Sequence, residues 1–499
     1  MITPQQPVHR ERRKALRRRA TWTLLAVLFI SWGGPAANAF WQTLSSSNFG
    51  AAKADSLPQG SVPTASLSGT NVTLSWAAAT TPGGHPASGY TVARYSGASG
   101  GTQVAAGGGC AGTVTALSCT EQSVPGGTWY YAVTPVISLW TGAESARSGG
   151  VISDSTPPTI SVSSISPTPN GAGYNNTSTV TVNLSAVDNT GGSGVASINY
   201  TVDGGSQVTV NASTAAVNVS GNGTHTVSFF ATDVAGNSST PQTQTIKIDS
   251  VAPVVGVASI SPTPNSLGYN KASPVTVNLS ATDSGGSGVA NIKFAIDGGS
   301  QVSVTGATAA VNIGGEGTHT LSYFATDIAG NTSNAQTQTV TIDTTAPTVS
   351  AVTMANGGTA KTADSGDTLT IVFSTDMDAH TLCSGWNSTS ATQSVTGTAS
   401  ISTGNVLTFF SSSCTAPAFG SVSLNAAYNK GTAARTFAAT MDWTQSTGTL
   451  VITFTSNGSG GTAGTSLSPA TPVYSPAPGA ADKAGNAVGT VSAGGPSKF

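Results

Sequence analysis

Apolar and polar residues alternate with a period of two along most of the chain. Val180-Thr181-Val182-Asn183-Leu184, Val208-Thr209-Val210 and Thr245-Ile246-Lys247-Ile248 follow the pattern, and so do Val275 to Leu279 and Thr339 to Ile342. Successive side chains of a strand point to opposite faces, so this alternation of β-branched and polar residues predicts half-buried antiparallel strands. Gly, Asn and Asp cluster between the runs. Asp203-Gly204-Gly205 and Asp297-Gly298-Gly299 each lie between two runs and read as hairpin turns, because Asp and Gly accept the backbone angles of a tight reversal. No window carries a helical period of useful length.

The pattern also repeats. Ile165-Ser166-Pro167-Thr168-Pro169-Asn170 recurs as Ile260-Ser261-Pro262-Thr263-Pro264-Asn265, an offset of 95 residues. Asp203 to Gln207 and Asp233 to Asn237 recur as Asp297 to Gln301 and Asp327 to Asn331, an offset of 94. The one-residue slip falls between Asp188 and Val195, in a Gly/Ser loop. An insertion confined to a loop means that its flanks are structured. A repeat of this length with about seven short strands has the size of an immunoglobulin-type sandwich. Asp154-Ser155-Thr156-Pro157-Pro158, Asp249-Ser250-Val251-Ala252-Pro253 and Asp343-Thr344-Thr345-Ala346-Pro347 mark the boundaries, where proline disfavours helix and stiffens a short junction. The expected organisation is a segment 1–39, a flexible spacer 40–60, and β modules at 61–153, 154–249, 250–343 and 344–499. The predicted fold class is all-β, a tandem array of small sandwiches behind an N-terminal signal or anchor helix.

Composition narrows the function. Only 8% of the 499 residues are charged, and the net charge of -2 hides a segregation. Seven of the 18 basic residues lie between Arg10 and Arg19. After Ala39, 11 basic side chains face 19 acidic ones, a balance of -8 that repels phosphate backbones and disfavours nucleic acid, so no nucleic-acid partner is expected. The basic stretch precedes an apolar run, Leu24 to Ile30, and a small-residue Ala37-Asn38-Ala39 site. That order reads as an export signal, cleaved or retained as an anchor, so the body is expected to be secreted or at the cell surface, with membrane contact only through an uncleaved N-terminus. Four cysteines, Cys110, Cys119, Cys383 and Cys414, agree with an oxidising compartment. They allow three pairings, of which Cys110 with Cys119 and Cys383 with Cys414, each inside one module, is the simplest.

The modules resemble known families. Gly223-Thr224-His225-Thr226 with Asp233-Val234-Ala235-Gly236-Asn237, and the second copy at 317–320 and 327–331, resemble bacterial Ig-like domains. Val72-Thr73-Leu74-Ser75-Trp76, Gly89-Tyr90-Thr91-Val92 and Gly127-Thr128-Trp129-Tyr130-Tyr131 resemble strands B, C and F of a fibronectin type III module, with Trp129 where Tyr usually makes the tyrosine-corner bond. Gly366 to Ser374, Met377-Asp378 and Asp482-Lys483-Ala484-Gly485-Asn486 resemble the Ig-like domains of bacterial surface-layer proteins. The resemblance implies sandwich architecture and a setting in adhesins, surface proteins or accessory regions of secreted enzymes.

Candidate chemistry is sparse. His225 and His319 hold equivalent positions without convergent partners in sequence, and a structural role is expected. Asp233, Asp327 and Asp482 each begin an Asp-x-Ala-Gly-Asn turn; Ca²⁺ is the one cofactor that such oxygens suit, but one carboxylate per turn is too little charge, so a hydrogen-bonded turn is the favoured reading. Further ligands would come from the junction residues Asp249 and Asp343. No cofactor and no catalytic residue is therefore expected. Trp140, Trp386 and Trp443 are the candidate ligand contacts, with Trp129 and Tyr130 beside them, because exposed rings stack on sugars, although packing in a sandwich core is the favoured reading for such rings and Trp140, in an expected loop, is the exception. The expected function is a non-enzymatic adhesive or spacer rod acting on extracellular polysaccharide or surface proteins. The alternatives are a carbohydrate-binding accessory protein and a hydrolase whose chemistry lies in the C-terminal module.

Overall fold

The structure is a computed structural model that describes residues 39–43, 52–414, 419–465, 467–489 and 495–499. The signal or anchor segment lies outside the described residues except for Ala39. Within the expected spacer, Ala39–Thr43 pairs antiparallel with Ala52–Ser56, so paired strands stand where a flexible tether was predicted.

The rest of the described chain is strand upon strand, as the alternation requires. In the second module, a three-stranded sheet of Thr159–Ser166, Thr179–Val187 and Thr214–Ser220 covers a five-stranded sheet. The latter runs Tyr174–Asn175, Gln242–Ile248, Gly223–Asp233, Val195–Val202, Val208–Val210. The third module repeats both sheets in the same order. Even the bulge recurs: the register shifts at Ser163 in one copy and at Ala258 in the other. Val182, Leu184, Val217 and Phe229 fill the core of the first copy, and Val277, Leu279, Val311 and Tyr323 fill that of the second. Asp203 (φ +51°) and Gly204 (φ +69°) turn the predicted hairpin, with the Gly205 N–H donating to Val202 O at 2.9 Å; positive φ at both central residues matches the right-handed twist of the strands.

The outward face of the three-stranded sheet is polar without being charged. Thr181 donates to Asn218 Oδ1 at 2.8 Å and Asn183 Nδ2 donates to Ser164 at 2.9 Å; Thr276–Asn312 and Asn278–Ser259 repeat this ladder. Charge is confined to the loops, the other sheet and the junctions.

The first module is also two sheets. Thr64–Ser68, Asn71–Ser75 and Ser118–Glu121 oppose a sheet built on Gly89–Tyr95 and Gly127–Ile137. Trp76 is buried against Tyr90, ring centroids 5.5 Å apart, as the fibronectin-like pattern predicts. Trp129 donates its indole N–H to Pro125 O at 2.7 Å. Tyr131 takes the buried hydroxyl position and bonds the Glu121 carboxylate at 2.8 Å instead of backbone; burial, and then Glu121, push its pKa up. The final module differs. Among the described residues its eight strands form one continuous sheet, from Val349–Ala355 to Val473–Pro476, curled so that Phe373 and Tyr474 meet edge to face at 6.0 Å. Phe499 is fully buried between Tyr428 and Phe454, ring centroids 5.2 and 5.3 Å away. Both local disulfides are formed, Cys110–Cys119 and Cys383–Cys414.

The first module contains a buried ion pair, Arg94 to Glu121 at 2.8 Å, in which Glu121 also accepts the Gly107 N–H at 2.8 Å. Breaking such a pair from one side strands a charge. Glu121→Ala is expected to lower the stability of this module by about 3–5 kcal/mol, while the double variant Arg94→Met, Glu121→Leu regains a large part of that. Hydrogen exchange of Gly89–Tyr95 under mild denaturant measures both.

Candidate functional site: the module junctions

Each junction begins with an aspartate that the sequence marks as a boundary. The backbone carbonyl of Asp154 accepts from Asn237 Nδ2 at 3.1 Å, that of Asp249 from Asn331 at 2.7 Å, and that of Asp343 from Asn486 at 2.9 Å. The donors are the last residues of the three Asp-x-Ala-Gly-Asn turns. Each turn is closed by its own aspartate: Asp233 Oδ1 accepts the Asn237 N–H at 2.8 Å and Asp233 Oδ2 accepts Nδ2 at 2.7 Å, and Asp327 and Asp482 do the same. The hydrogen-bonded turn read from the motif is therefore present, and it also pins the first residue of the junction that leads into its module.

The reason for discounting a cation fails on geometry. Asp154, Asp188 and Asp233 bring carboxylate oxygens within 4.8 Å of one another, and Asp249, Asp283 and Asp327 repeat the trio. Asp154, Asp233, Asp249 and Asp327 are all at most 4% exposed. Among the described residues no ion pair reaches any of these carboxylates. Three oxygens at this spacing are what a hard cation such as Ca²⁺ takes as part of its shell, so these are the residues that could hold one. Backbone N–H groups already hold every carboxylate: Asp249 accepts from Val251 at 3.1 Å and Ser287 at 2.9 Å, and Asp283 from Gly285 at 3.0 Å and Gly288 at 2.7 Å. At Asp154, burial pushes the pKa up, but the N–H groups of Ser193 and Thr156 outweigh it and bring the value below the usual range. Asp188 and Asp283 were missed from sequence, although the 95-residue offset relates them too.

The third junction is built differently. Asp482 and Asp376 lie near Asp343, and Lys483 Nζ sits on Asp376 Oδ2 at 3.1 Å. Burial first, and then the carboxylates of Asp482, Glu316 and Asp376, raise the pKa of Asp343. The lysine stands at the second position of its turn, where the other two modules have Val234 and Ile328.

Neighbouring modules also touch. Asn170 Nδ2 donates to Ile328 O at 2.8 Å and Ala329 O at 3.1 Å in the next module, and Asn265 Nδ2 donates to Lys483 O at 2.7 Å. The Oδ1 of each closes its own loop, accepting from Ala172 and Tyr174, or from Leu267 and Tyr269, all at 3.0 Å. The repeated Ile-Ser-Pro-Thr-Pro-Asn motif thus presents an amide that is fixed at one end and reaches across the boundary with the other.

The aromatic candidates divide. Trp386 is 6% exposed and Trp443 0%, so both are core residues and the expectation of ligand contact is corrected there. Trp443 packs on Phe373, ring centroids 6.0 Å apart, and donates to Gln445 Oε1 at 3.0 Å. Trp140 is 36% exposed in the short strand Trp140–Thr141, beside the almost fully exposed Leu139. Trp129 and Tyr130 are half-buried. His225 and His319 each hold an aspartate, Asp203 and Asp297, at 2.8 Å.

No protein-family model matches the chain, and no curated protein matches it. It is similar to solved structures of tandem β modules. A tetra-tandem repeat from the extending region of a large adhesion protein is 14% identical, covering 80% of this chain and 96% of that one with a TM-score of 0.24. The FN1–FN3 domains of chicken CNTN1 are 15% identical over 57% of this chain and 99% of that one, TM-score 0.23. Fibronectin(III)-like modules of Clostridium thermocellum CbhA are 16% identical over 37% and 94%, TM-score 0.21. The assignment of Ig-like and fibronectin-like modules rests on the strand order described above.

Asp249 is fully buried, and Asp249→Ala deletes its bonds to two backbone N–H groups. The third module is expected to lose about 2–4 kcal/mol, with Asp249→Asn losing less. Thermal unfolding measures this in EDTA and again in Ca²⁺, since a bound cation would stabilise only the chain that retains the trio.

Proposed function

We propose that the chain is a non-enzymatic, exported spacer and adhesive protein whose tandem modules form a semi-rigid rod at the cell surface or in the medium. The observation that carries this reading is the clasp across successive junctions, Asn170 to the turn at Ile328 and Asn265 to the turn at Lys483. A linker only five residues long joins Ile248 to Val254. With its first residue held by Asn331 and a proline at its end, it has little freedom left to hinge. Rigid spacing is useful where a distal surface must be held away from the cell, and repeated surfaces let weak contacts add through avidity. Extracellular polysaccharide or surface proteins are the partners this role implies; the acidic body disfavours nucleic acid, and membrane contact would run through the N-terminal segment.

Small-angle scattering of the full chain tests the rod. Its radius of gyration is expected well above the ~23 Å of one compact globule of this length. The double variant Asn170→Ala, Asn265→Ala is expected to keep folded modules while its distance distribution broadens. A compact wild type, or a variant with the same distribution, would remove the basis of the reading.

A further inference from the structure

The two histidines of the repeats occupy sites that a neutral imidazole cannot fully satisfy. His225 Nδ1 lies 2.8 Å from Asp203 Oδ2 and its Nε2 lies 3.1 Å from Gly221 O. His319 repeats this with Asp297 Oδ2 at 2.8 Å and Gly315 O at 3.4 Å. Both ring nitrogens thus face acceptors. A neutral ring has one N–H and can serve only one of them; the imidazolium has two and serves both.

What each ring ties together gives the arrangement a consequence. Asp203 belongs to the hairpin turn at 203–204, and its other oxygen accepts the Thr226 N–H at 2.8 Å. Gly221 belongs to the next turn, whose Asn222 side chain accepts both the N–H and the hydroxyl of Ser250, each at 2.9 Å. Ser250 is the second residue of the linker to the third module. The second copy is parallel: Glu316, next to Gly315, accepts the Thr344 N–H at 3.0 Å and also the Thr344 hydroxyl, and Thr344 is the second residue of the next linker. A ring, a turn and a linker residue are therefore connected in series at two successive junctions.

We propose that His225 and His319 are proton-controlled latches: the imidazolium fastens the turn at Gly221 or Gly315 to the hairpin at Asp203 or Asp297, and deprotonation loosens the turn's hold on Ser250 or Thr344. The inference extends the rod reading to the control of its stiffness, but the latch itself is local and can be tested separately.

The charged groups around each ring are few. Asp203 faces His225 from the hairpin; on the neighbouring strand Lys247 is opposite Thr224, with its ammonium over the Tyr174 ring, 5.2 Å from the centroid. Asp297 faces His319; Glu316 lies beyond Gly315 on the linker, and Val340 and Thr341 occupy the neighbouring strand. The hydrogen bond to the aspartate is the largest cause raising both histidines above their ordinary value, against a smaller lowering by burial. Hydrogen bonds from Thr344 keep Glu316 below the usual carboxylate range, so it does not titrate in the same window. A raised folded-state pKa gives stabilisation that is complete below the unfolded value, about 6.5, and that disappears as the pH rises through the folded value. The latch is closed in mild acid and opens toward alkaline pH.

Hydrogen exchange on the full chain from pH 5.5 to 9, divided by the intrinsic rate at each pH, reads the latch at Ser250 and Thr344. Protection of both amides is expected to fall about fivefold across the range, the effect of one ordinary hydrogen bond. Its midpoint should match the imidazole titrations followed by NMR on the same protein. In the double variant His225→Gln, His319→Gln the profile is expected to be flat. Unchanged wild-type protection while the rings titrate, the same fall in the double variant, or rings that titrate at or below the ordinary histidine value would each overturn the latch. If the double variant does not fold, Asp203→Asn with Asp297→Asn decides, since it must shift both midpoints to lower pH. Scattering at the two pH extremes then separates the claims: exchange that responds while an extended shape stays unchanged leaves the latch intact and overturns its control of stiffness, whereas a compact shape at both extremes counts against the rod.

Discussion

The carbonyl of the first residue of a junction is held by the last residue of a turn some eighty residues later in the Ig-like repeats, and the rest of the architecture depends on that bond. Asn331 reaches Asp249 O only because Asp327 has closed the turn around the Asn331 N–H and amide. With the start of the module fixed, the turn exposes Ile328 O and Ala329 O to the preceding module, where Asn170 finds them. One closed turn thus fixes where its own module begins and provides the acceptors for its neighbour. A buried backbone carbonyl without a partner is costly, so turn and linker are bound to form together.

The distribution of charge follows from this arrangement. The modules concentrate their carboxylates at the junctions, where N–H groups are available to receive them, and leave the three-stranded faces to hydroxyls and amides such as Thr181, Asn183 and Asn218. Those side chains satisfy one another along the sheet, so the face is solvated without ion pairs. Natural sheets commonly protect exposed edges with charge. These modules use short strands, bulges at Ser163 and Ala258, and neighbouring modules at the ends.

Period two and the 95-residue repeat made the strands, the hairpin at Asp203 and the module organisation legible, because both signals are local or self-similar. The site was legible only in parts. The closing aspartates Asp233 and Asp327 were visible as turn residues, and Asp249 as a junction residue, but nothing in the sequence showed that loop residues Asp188 and Asp283 come within 4.8 Å of them. Ile328, the partner of Asn170, lies 158 residues away, a distance at which spacing carries no information. Trp443 is a different case. Phe437, Ala439, Met441 and Trp443 share one parity of a single strand, and all four are buried, so alternation already placed that ring in the core. Trp386 gave no such signal; it follows Cys383, whose bond to Cys414 draws the segment against the core.

The third junction separates two properties that the second combines. There Asn486 holds Asp343 O and Asn265 reaches the turn, as Asn331 and Asn170 do at the second, yet Lys483 lies on Asp376 and balances part of the charge. The clasp therefore does not need an excess of negative charge. At Asp154 the N–H groups of Ser193 and Thr156 outweigh burial and hold the carboxyl low, whereas at Asp343 burial and three nearby carboxylates prevail and hold it high. Equivalent positions in one repeated frame have opposite shifts because the frame specifies backbone bonds and leaves the side chains of the surrounding loops free to vary. The spacing of the modules is thus fixed by amide and carbonyl groups, and the electrostatics of each junction can diverge without disturbing it.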